Sequence, residues 1–206
     1  LKIYDKPILY FPKFFHPDPT VKRQSGFLMP TLSSSNNLGN YLSVPYFYAI
    51  SDNKDLTFTP RFYDKQKILY QAEYRQANKS SDHVMDFSIL NKSRFVETNK
   101  TLGTHFFVKS NFDTDINYFE NSSIDLNIQQ VSQDNYLKTN KIKSPIITNE
   151  TVLNSKIEFE GSTKDLDLNL YTEVYEDLSK ETSDRYEFIF PSYSLTKYIE
   201  SSLEGE

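Results

Sequence analysis

The stretch KRQSGFLMPTLSSSNNLGNYLSVPYFYAISDNKDLTFTPR, residues 22–61, decides the fold of this chain. It predicts three short strands joined by tight polar turns, and two of these strands carry a proline in the middle, at Pro30 and Pro45. Proline has no N–H to donate to a β-ladder, so it belongs at sheet edges, at bulges or where pairing is weak. Two such strands in succession therefore indicate a seam in a sheet.

Apolar and polar residues alternate with a period of two through most of the chain, which is typical of β-strands. In the second strand, for example, Leu42, Tyr46 and Ile50 fall on one face. Residues 133–150 show no clean period, and we expect a helical turn there. The alternation predicts strands at residues 27–35, 42–50, 56–63, 68–75, 85–89, 106–112, 124–128, 153–159, 166–174 and 185–198.

Apolar and polar residues that alternate over about nine positions are compatible with two kinds of fold. In a soluble antiparallel sandwich the apolar face is the core, and the face from Leu166 to Val174 would then be buried. In an outer-membrane barrel the apolar face meets lipid and the polar face lines a wet lumen. The long polar residues Gln71, Glu73 and Arg75 on one face, and hairpins that follow each other without a break, favour the barrel.

The composition is unusual for a dry core. Hydrophobic residues make up 37% of the 206 residues, yet the chain has 15 tyrosines and 16 phenylalanines, which argues against disorder. A net charge of −5 with both signs scattered gives no basic footprint for nucleic acid. The absence of cysteine excludes a disulfide framework and a thiolate metal site.

The N-terminal part is organised differently from the rest. Residues 1–15 are aromatic and strand-like, and residues 16–26 form the clearest linker, so we place a domain boundary there. Because Leu1 begins in the middle of a pattern and no signal peptide precedes it, we expect the chain to be an internal piece of a longer protein.

Several motifs resemble the LptD family, the lipopolysaccharide-assembly or organic solvent tolerance proteins. They are PILYFPKFFHPDPTVKRQSGFLMP at 7–30, LSVPYFYAISDNKDLTFTPRF at 42–62, YQAEYR at 70–75 and QDNYLK at 133–138. The HPDPTVKR before SGF is similar to the alphaproteobacterial members. The chain departs from the family at Phe47 and Tyr48, where Tyr-Trp is common, and it has no tryptophan.

The resemblance implies an all-β fold in two parts. Residues 1–15 would be the C-terminal end of a periplasmic β-jellyroll, residues 16–26 a hinge, and residues 27–206 roughly the first ten antiparallel strands of a large transmembrane β-barrel in the cell outer membrane. It also implies that lipopolysaccharide arrives from the periplasmic bridge protein LptA, and that the lipoprotein LptE plugs the barrel.

The resemblance further implies a lateral gate at the first barrel strands. Its candidate residues on the lipopolysaccharide path are Gly26, Phe27, Pro30 and Pro45, and the hinge candidates are Pro17, Pro19, Lys22 and Arg23. The bulge reading of the two prolines, at a barrel rim, is the alternative. Transport of this kind changes no covalent bond, so we expect no catalytic residues and no cofactor.

Other readings remain open from the residues alone. A different outer-membrane barrel, a porin or receptor, would share the alternation, and a soluble carbohydrate-binding sandwich would share the strands. The three histidines have no metal-binding spacing, so we assign no metal. The carboxylates of Glu158, Glu160, Asp165 and Asp167 would project to one side, where a wet surface explains them better than a catalytic or calcium site.

Overall fold

The computed structural model describes residues 2–3, 6–7, 23–35, 39–64, 68–91, 102–181 and 183–199, and these residues are almost entirely β-structure. The predicted all-β antiparallel fold is confirmed. The elements are β1 Lys2–Ile3, β2 Lys6–Pro7, β3 Gly26–Phe27, β4 Thr31–Ser35, β5 Gly39–Ser43, β6 Tyr46–Ser51, β7 Lys54–Tyr63, β8 Leu69–Ala77, β9 Ser81–Asn91, β10 Leu102–Thr114, β11 Asn121–Val131, α1 Tyr136–Asn140, β12 Val152–Ser162, β13 Leu166–Asp177 and β14 Tyr186–Lys197.

Strands β3 to β14 form one antiparallel sheet, and from β7 to β14 each strand pairs with the next one along the chain. β7 pairs with β6 at one end and with β5 at the other, in a single register that matches Tyr46 with Phe58 and Ser43 with Arg61. β5 and β6 are therefore two halves of one strand, and β3 and β4, which pair with them, are the halves of the strand before it. Ten strands cross the sheet, as the resemblance implied.

Burial in this sheet is the reverse of that in a soluble sandwich. The apolar face, which we name the outer face, leaves large side chains such as Phe87 and Phe106 exposed, whereas the inner face buries polar ones such as Asp86 and Gln71. Leu170 of β13, on the face that a sandwich would bury, is also exposed. This pattern is that of an outer-membrane barrel wall, apolar outside and polar inside.

The two ends of the sheet differ in the length of their connections. One end, where Arg23 leads into β3, carries turns at 52–53, 78–80, 115–120 and 163–165. The opposite end carries the connections 36–38, 64–68, 92–101, 132–151 and 178–185, including the longest ones.

The longest connection folds back onto the inner face. We name residues 132–150 the inner segment; it contains α1, the helical turn that the sequence predicts, closed by Lys141 in the left-handed conformation (φ 47°). Apolar residues of α1 and of the following stretch pack against the ends of β7 to β10. The buried cluster comprises Tyr63, Leu69, Leu90, Phe107, Tyr136, Leu137, Ile142, Ile146, Leu153 and Leu178.

The N-terminal domain division stays a prediction. β1 pairs with β2 in a separate two-stranded sheet, and most of residues 1–26 lie outside the described part of the chain. No helix in the described part of the chain is long and apolar enough to cross a membrane.

Candidate functional site

The first two strands that cross the sheet are both interrupted where the sequence has its prolines. Residues 28–30 separate β3 from β4, and residues 44–45 separate β5 from β6. The amide of Leu28 donates to the carbonyl oxygen of Pro45 at 2.9 Å. In an antiparallel ladder such a pair exchanges two bonds, and Pro45 cannot donate the second one. The seam between these strands therefore lacks a ladder bond at Pro45.

The seam also contains a register shift around Pro30. Phe27 pairs with Tyr46 and Thr31 pairs with Ser43, so the three residues 28–30 lie opposite the two residues 44–45. One extra residue on one strand is a β-bulge, which disrupts pairing locally and bends the strand. The bulge reading is thus right about the geometry, although the bulge lies within the strand and not at the rim.

A third proline weakens the next pairing. Val44 donates its amide to the carbonyl oxygen of Pro60 on β7 at 3.1 Å, and Pro60 has no N–H to return the bond. Sequence reasoning placed Pro60 in a strand but assigned it no role. The signal was present, since a proline near the middle of a central strand is rare.

The candidates Phe27 and Gly26 differ in what the structure says of them. Phe27 is 75% exposed, and its ring meets the ring of Tyr46 edge-on at 5.0 Å. Gly26 pairs with Phe47, and a Cβ built there would meet nothing within 4 Å. No close approach therefore requires glycine at position 26.

The hinge candidate Arg23 makes defined contacts with the sheet. Its guanidinium Nη1 lies 2.9 Å from Oδ2 of Asp55, and Arg75 Nε lies 2.8 Å from Oδ1 of the same carboxylate. Asp55 is almost completely buried. The other hinge candidates, Pro17, Pro19 and Lys22, lie outside the described residues, so their role stays a prediction.

A buried polar network joins the inner segment to the wall. Arg61 Nη1 donates to the carbonyl oxygens of Asn140 and Lys141 at 2.9 and 3.1 Å, while its Nη2 donates to Oε1 of Gln71 at 2.9 Å. The amide of Gln71 donates to Asp86 and to the carbonyl oxygen of Lys143. Sequence reasoning predicted the polar inner face but not this network.

Ser88, His105 and Asp86 lie together beside this network, but the two ring nitrogens face the opposite partners from those in a Ser-His-Asp catalytic triad, and Nε2 makes no hydrogen bond within the described part of the chain. His105 Nδ1 lies 2.6 Å from Ser88 Oγ, and its Nε2 lies 3.3 Å from Asp86 Oδ1. Ser88 Oγ also lies 2.8 Å from the hydroxyl of Tyr136, and all four side chains are buried from solvent. Burial raises the pKa of Tyr136 to about 12. Because the serine is enclosed by its partners, the group holds α1 in place and offers no nucleophile to a substrate.

The inner segment also touches the seam. Lys141 Nζ donates to the carbonyl oxygen of Ser34 on β4 at 3.0 Å. The segment therefore spans the inner face from β11 to the first strand.

The inner face of β11 to β13 is not covered in this way and is acidic. Lys156 pairs with Glu158 at 2.7 Å, and Asn169 donates to both Glu158 and Glu160. No group of residues suited to holding a metal ion occurs in the described part of the chain. Of the four carboxylates predicted to lie side by side, Glu158 and Glu160 are bonded to the amide of Asn169, Glu158 also to Lys156, and Asp165 is exposed in the turn before β13.

The amino-acid sequence is similar to that of known proteins of one family. The sequence model of the family described as LptD protein matches residues 1–198. The LPS-assembly protein LptD of Pseudoalteromonas translucida is 32% identical over 137 residues, 66% of this chain and 18% of that protein. The one of Legionella pneumophila strain Lens is 30% identical over 149 residues, 67% and 18% respectively. In Pseudomonas entomophila the relative is 37% identical over 91 residues, 44% of this chain and 10% of that protein. The matched part of this chain thus covers only 10–18% of the length of these relatives.

Proposed function

The chain belongs to the LptD family, and from this we propose that it forms the opening strands of an outer-membrane β-barrel that inserts lipopolysaccharide into the outer leaflet. The relatives carry the name LPS-assembly protein, which supplies the substrate. Whether the chain is of the alphaproteobacterial type stays a prediction. The reaction is a transfer between compartments in which no covalent bond changes.

The observation that carries the proposal is the seam between the first two strands. A closed barrel has no free edge, yet a lipid with a large saccharide head has to leave it sideways. Pro45 removes a ladder bond from this seam, and the bulge at residues 28–30 removes regular pairing beside it. Each absent bond is worth about 0.5–1.5 kcal/mol net in water, and hydrocarbon offers no water to replace it. The seam therefore opens at lower cost than fully paired strands.

The side chains at the seam suit both parts of such a lipid. Phe27, Met29 and Leu32 are exposed apolar groups beside the interruption, with Leu32 82% exposed. They would accompany acyl chains in the membrane, while the polar inner face would accommodate the saccharide. The lateral gate therefore includes Phe27, Pro30 and Pro45 in this proposal, whereas Gly26 acts only as part of the backbone.

The lengths of the connections support one orientation of the barrel in the membrane. Outer-membrane barrels have short periplasmic turns and longer extracellular loops. The end with the short turns is the one at which Arg23 leads into β3, so we place the N-terminal side of the chain in the periplasm. This arrangement fits delivery from the bridge protein LptA, and it leaves the rest of the inner face for the plug lipoprotein LptE.

The test uses the full-length protein in cells, with a photocrosslinking residue on the outer face at Phe27 and, as control, at Leu170 on β13. Both positions are exposed apolar sites, so non-specific contact with membrane lipid affects both. Lipopolysaccharide crosslinked at Phe27 but not at Leu170 is the expected result. Equal crosslinking at both positions, or none although the protein is in the outer membrane, would favour a general barrel such as a porin or receptor.

A paired substitution tests the role of the seam itself. Pro45→Ala supplies an N–H opposite Leu28, and we expect crosslinking at Phe27 to fall by about fivefold, the equivalent of one net ladder bond. Pro191→Ala is the matched control, because Pro191 lies in a bulge of β14 where the Thr172 hydroxyl already bonds to the carbonyl oxygen of Ile189 at 3.2 Å. An equal response to both substitutions would argue against a special seam at Pro45.

A further inference from the structure

Asp55 is a buried carboxylate with two cationic partners that belong to different parts of the chain. It lies at the start of β7, directly after the turn at 52–53, and its side chain is only 2% exposed. One oxygen meets Arg75 of the neighbouring strand β8 at 2.8 Å. The other meets Arg23, which precedes the first strand, at 2.9 Å. A buried carboxylate is costly unless its lone pairs are satisfied, and here both oxygens are occupied by guanidinium groups.

A second contact attaches the same stretch of chain. The hydroxyl of Ser25 accepts a hydrogen bond from the amide of Ala49 on β6 at 2.9 Å. We name residues 23–25 the leading segment. It is thus bound to the second and third strands that cross the sheet, on the far side of the seam from β3 itself.

These contacts matter because β3 is short. It comprises only Gly26 and Phe27, which pair with Phe47 and Tyr46. Two residue pairs followed by a bulge hold a strand weakly, so the direction in which the chain enters the sheet depends on contacts outside the ladder. The salt bridge between Arg23 and Asp55 is the strongest of these, since both partners are charged and one is desolvated.

We infer that Asp55 is a positioning residue that anchors the leading segment to β7 and thereby fixes the direction in which the preceding part of the protein meets the barrel wall. The inference rests on the proposed function in one respect: alignment of that preceding part with the seam is what would deliver lipopolysaccharide to it. Asp55 itself touches no substrate. Arg75 holds the carboxylate in place from the opposite side, so that Arg23 meets a fixed partner.

The test compares Arg23→Glu with Gln24→Glu in the full-length protein purified in detergent. Both substitutions place a carboxylate at one of two adjacent exposed residues, but only the first removes the cation that pairs with Asp55 and sets a negative charge against it. Hydrogen–deuterium exchange is followed at the amides of Leu28 and Ala49, which bond to Pro45 and to Ser25. We expect exchange to become about two- to fivefold faster with Arg23→Glu, the range for a partly exposed ion pair, and to stay unchanged with Gln24→Glu. Arg23→Lys, which keeps the charge, should restore most of the protection.

The same variants are then examined in cells with the photocrosslinking residue at Phe27. Less lipopolysaccharide crosslinked with Arg23→Glu than with Gln24→Glu is expected, together with the faster exchange. Unchanged exchange in Arg23→Glu would overturn the anchor, and faster exchange with undiminished crosslinking would overturn its positioning role. If the unsubstituted protein shows no crosslink at Phe27, the proposed function fails, and the exchange experiment still decides whether the anchor exists.

Discussion

The inner face of the sheet has two halves that are built from similar alternating strands but differ in environment. On β7 to β10 the inner segment covers the wall, and charged groups such as Arg61 and Asp86 are buried. On β11 to β13 comparable groups such as Lys156 and Glu158 remain partly exposed. We name the inner face of β7 to β10 the covered half and that of β11 to β13 the open half. Similar charged and polar residues are therefore buried in the covered half and partly exposed to solvent in the open half.

The difference teaches that polarity on a barrel wall does not by itself mean contact with water. In the covered half, polar side chains donate hydrogen bonds to backbone carbonyl oxygens of the inner segment, so these bonds hold the segment against the wall. In the open half, amides and carboxylates bond to one another along the wall, as Asn154 does with Glu173 at 2.6 Å. Substitutions should therefore cost much in the first half and little in the second.

The largest effect is expected for Arg61→Met. The change leaves the carbonyl oxygens of Asn140 and Lys141, and Oε1 of Gln71, without their buried donor. We expect the free energy of unfolding to fall by about 3 kcal/mol, since several buried acceptors become unsatisfied at once. Denaturant unfolding of the full-length protein refolded in detergent micelles measures it.

Lys156→Met is the matched control in the open half. Lys156 pairs with Glu158 and lies 4.6 Å above the ring of Tyr171, but it is in contact with solvent. We expect a loss below about 1 kcal/mol. Similar losses for the two substitutions would show that coverage by the inner segment does not distinguish the halves.

Period-two alternation was sufficient to predict the sheet, its faces and the approximate strand bounds. It assigned Phe58 and Phe62 to one face and Thr57 and Arg61 to the other, and the structure agrees. The weak pairing at Pro30 and Pro45 was predicted because proline cannot donate to a ladder, but both strands were predicted to run through their proline, whereas the structure interrupts them at residues 28–30 and 44–45. Structural features that depend only on residues within one strand or one turn can be predicted from the local sequence.

The covered half could not be predicted in the same way. Arg61 and the carbonyl of Lys141 are 80 positions apart, and the contact exists only because the β11–β12 connection folds inward. The alternation of apolar and polar residues does not predict where a long loop packs against the sheet. The aperiodic composition of residues 133–150 predicted a helical turn, which is correct, but not its position against the wall. For the same reason the sequence did not predict the contacts of Asp55, because its partners Arg23 and Arg75 lie before it and after it in the chain.

The free energy of unfolding should depend on pH because of Tyr136 in the inner segment. Burial raises the pKa of its phenol from the usual 10 to about 12 in the folded protein. Between these values the unfolded chain loses the proton while the folded protein keeps it, so stability present below pH 10 declines as the pH rises. The expected slope is up to about 1.4 kcal/mol per pH unit. Unfolding free energies measured from pH 9 to pH 12 should decline less steeply in Tyr136→Phe, and identical slopes would mean that the phenol is not buried.

An effect smaller than that of Arg61→Met separates packing in the covered half from packing at the rim. A Cβ at Gly103 would lie 2.6 Å from Cε2 of Tyr136, and a Cβ at Gly161 would lie 2.8 Å from the ring of Phe119, so both glycines have an aromatic ring directly above them. Tyr136 is completely enclosed, whereas Phe119 belongs to the turn at 115–120 and is only partly buried. Gly103→Ala should therefore cost about 1–2 kcal/mol through overpacking, and Gly161→Ala clearly less because its ring can move aside. The two unfolding curves, recorded under one set of conditions, give the comparison directly. If Gly161→Ala were the more costly change, the contact of the inner segment with Gly103 would be the looser of the two, and enclosure of Tyr136 would not explain the cost of Gly103→Ala.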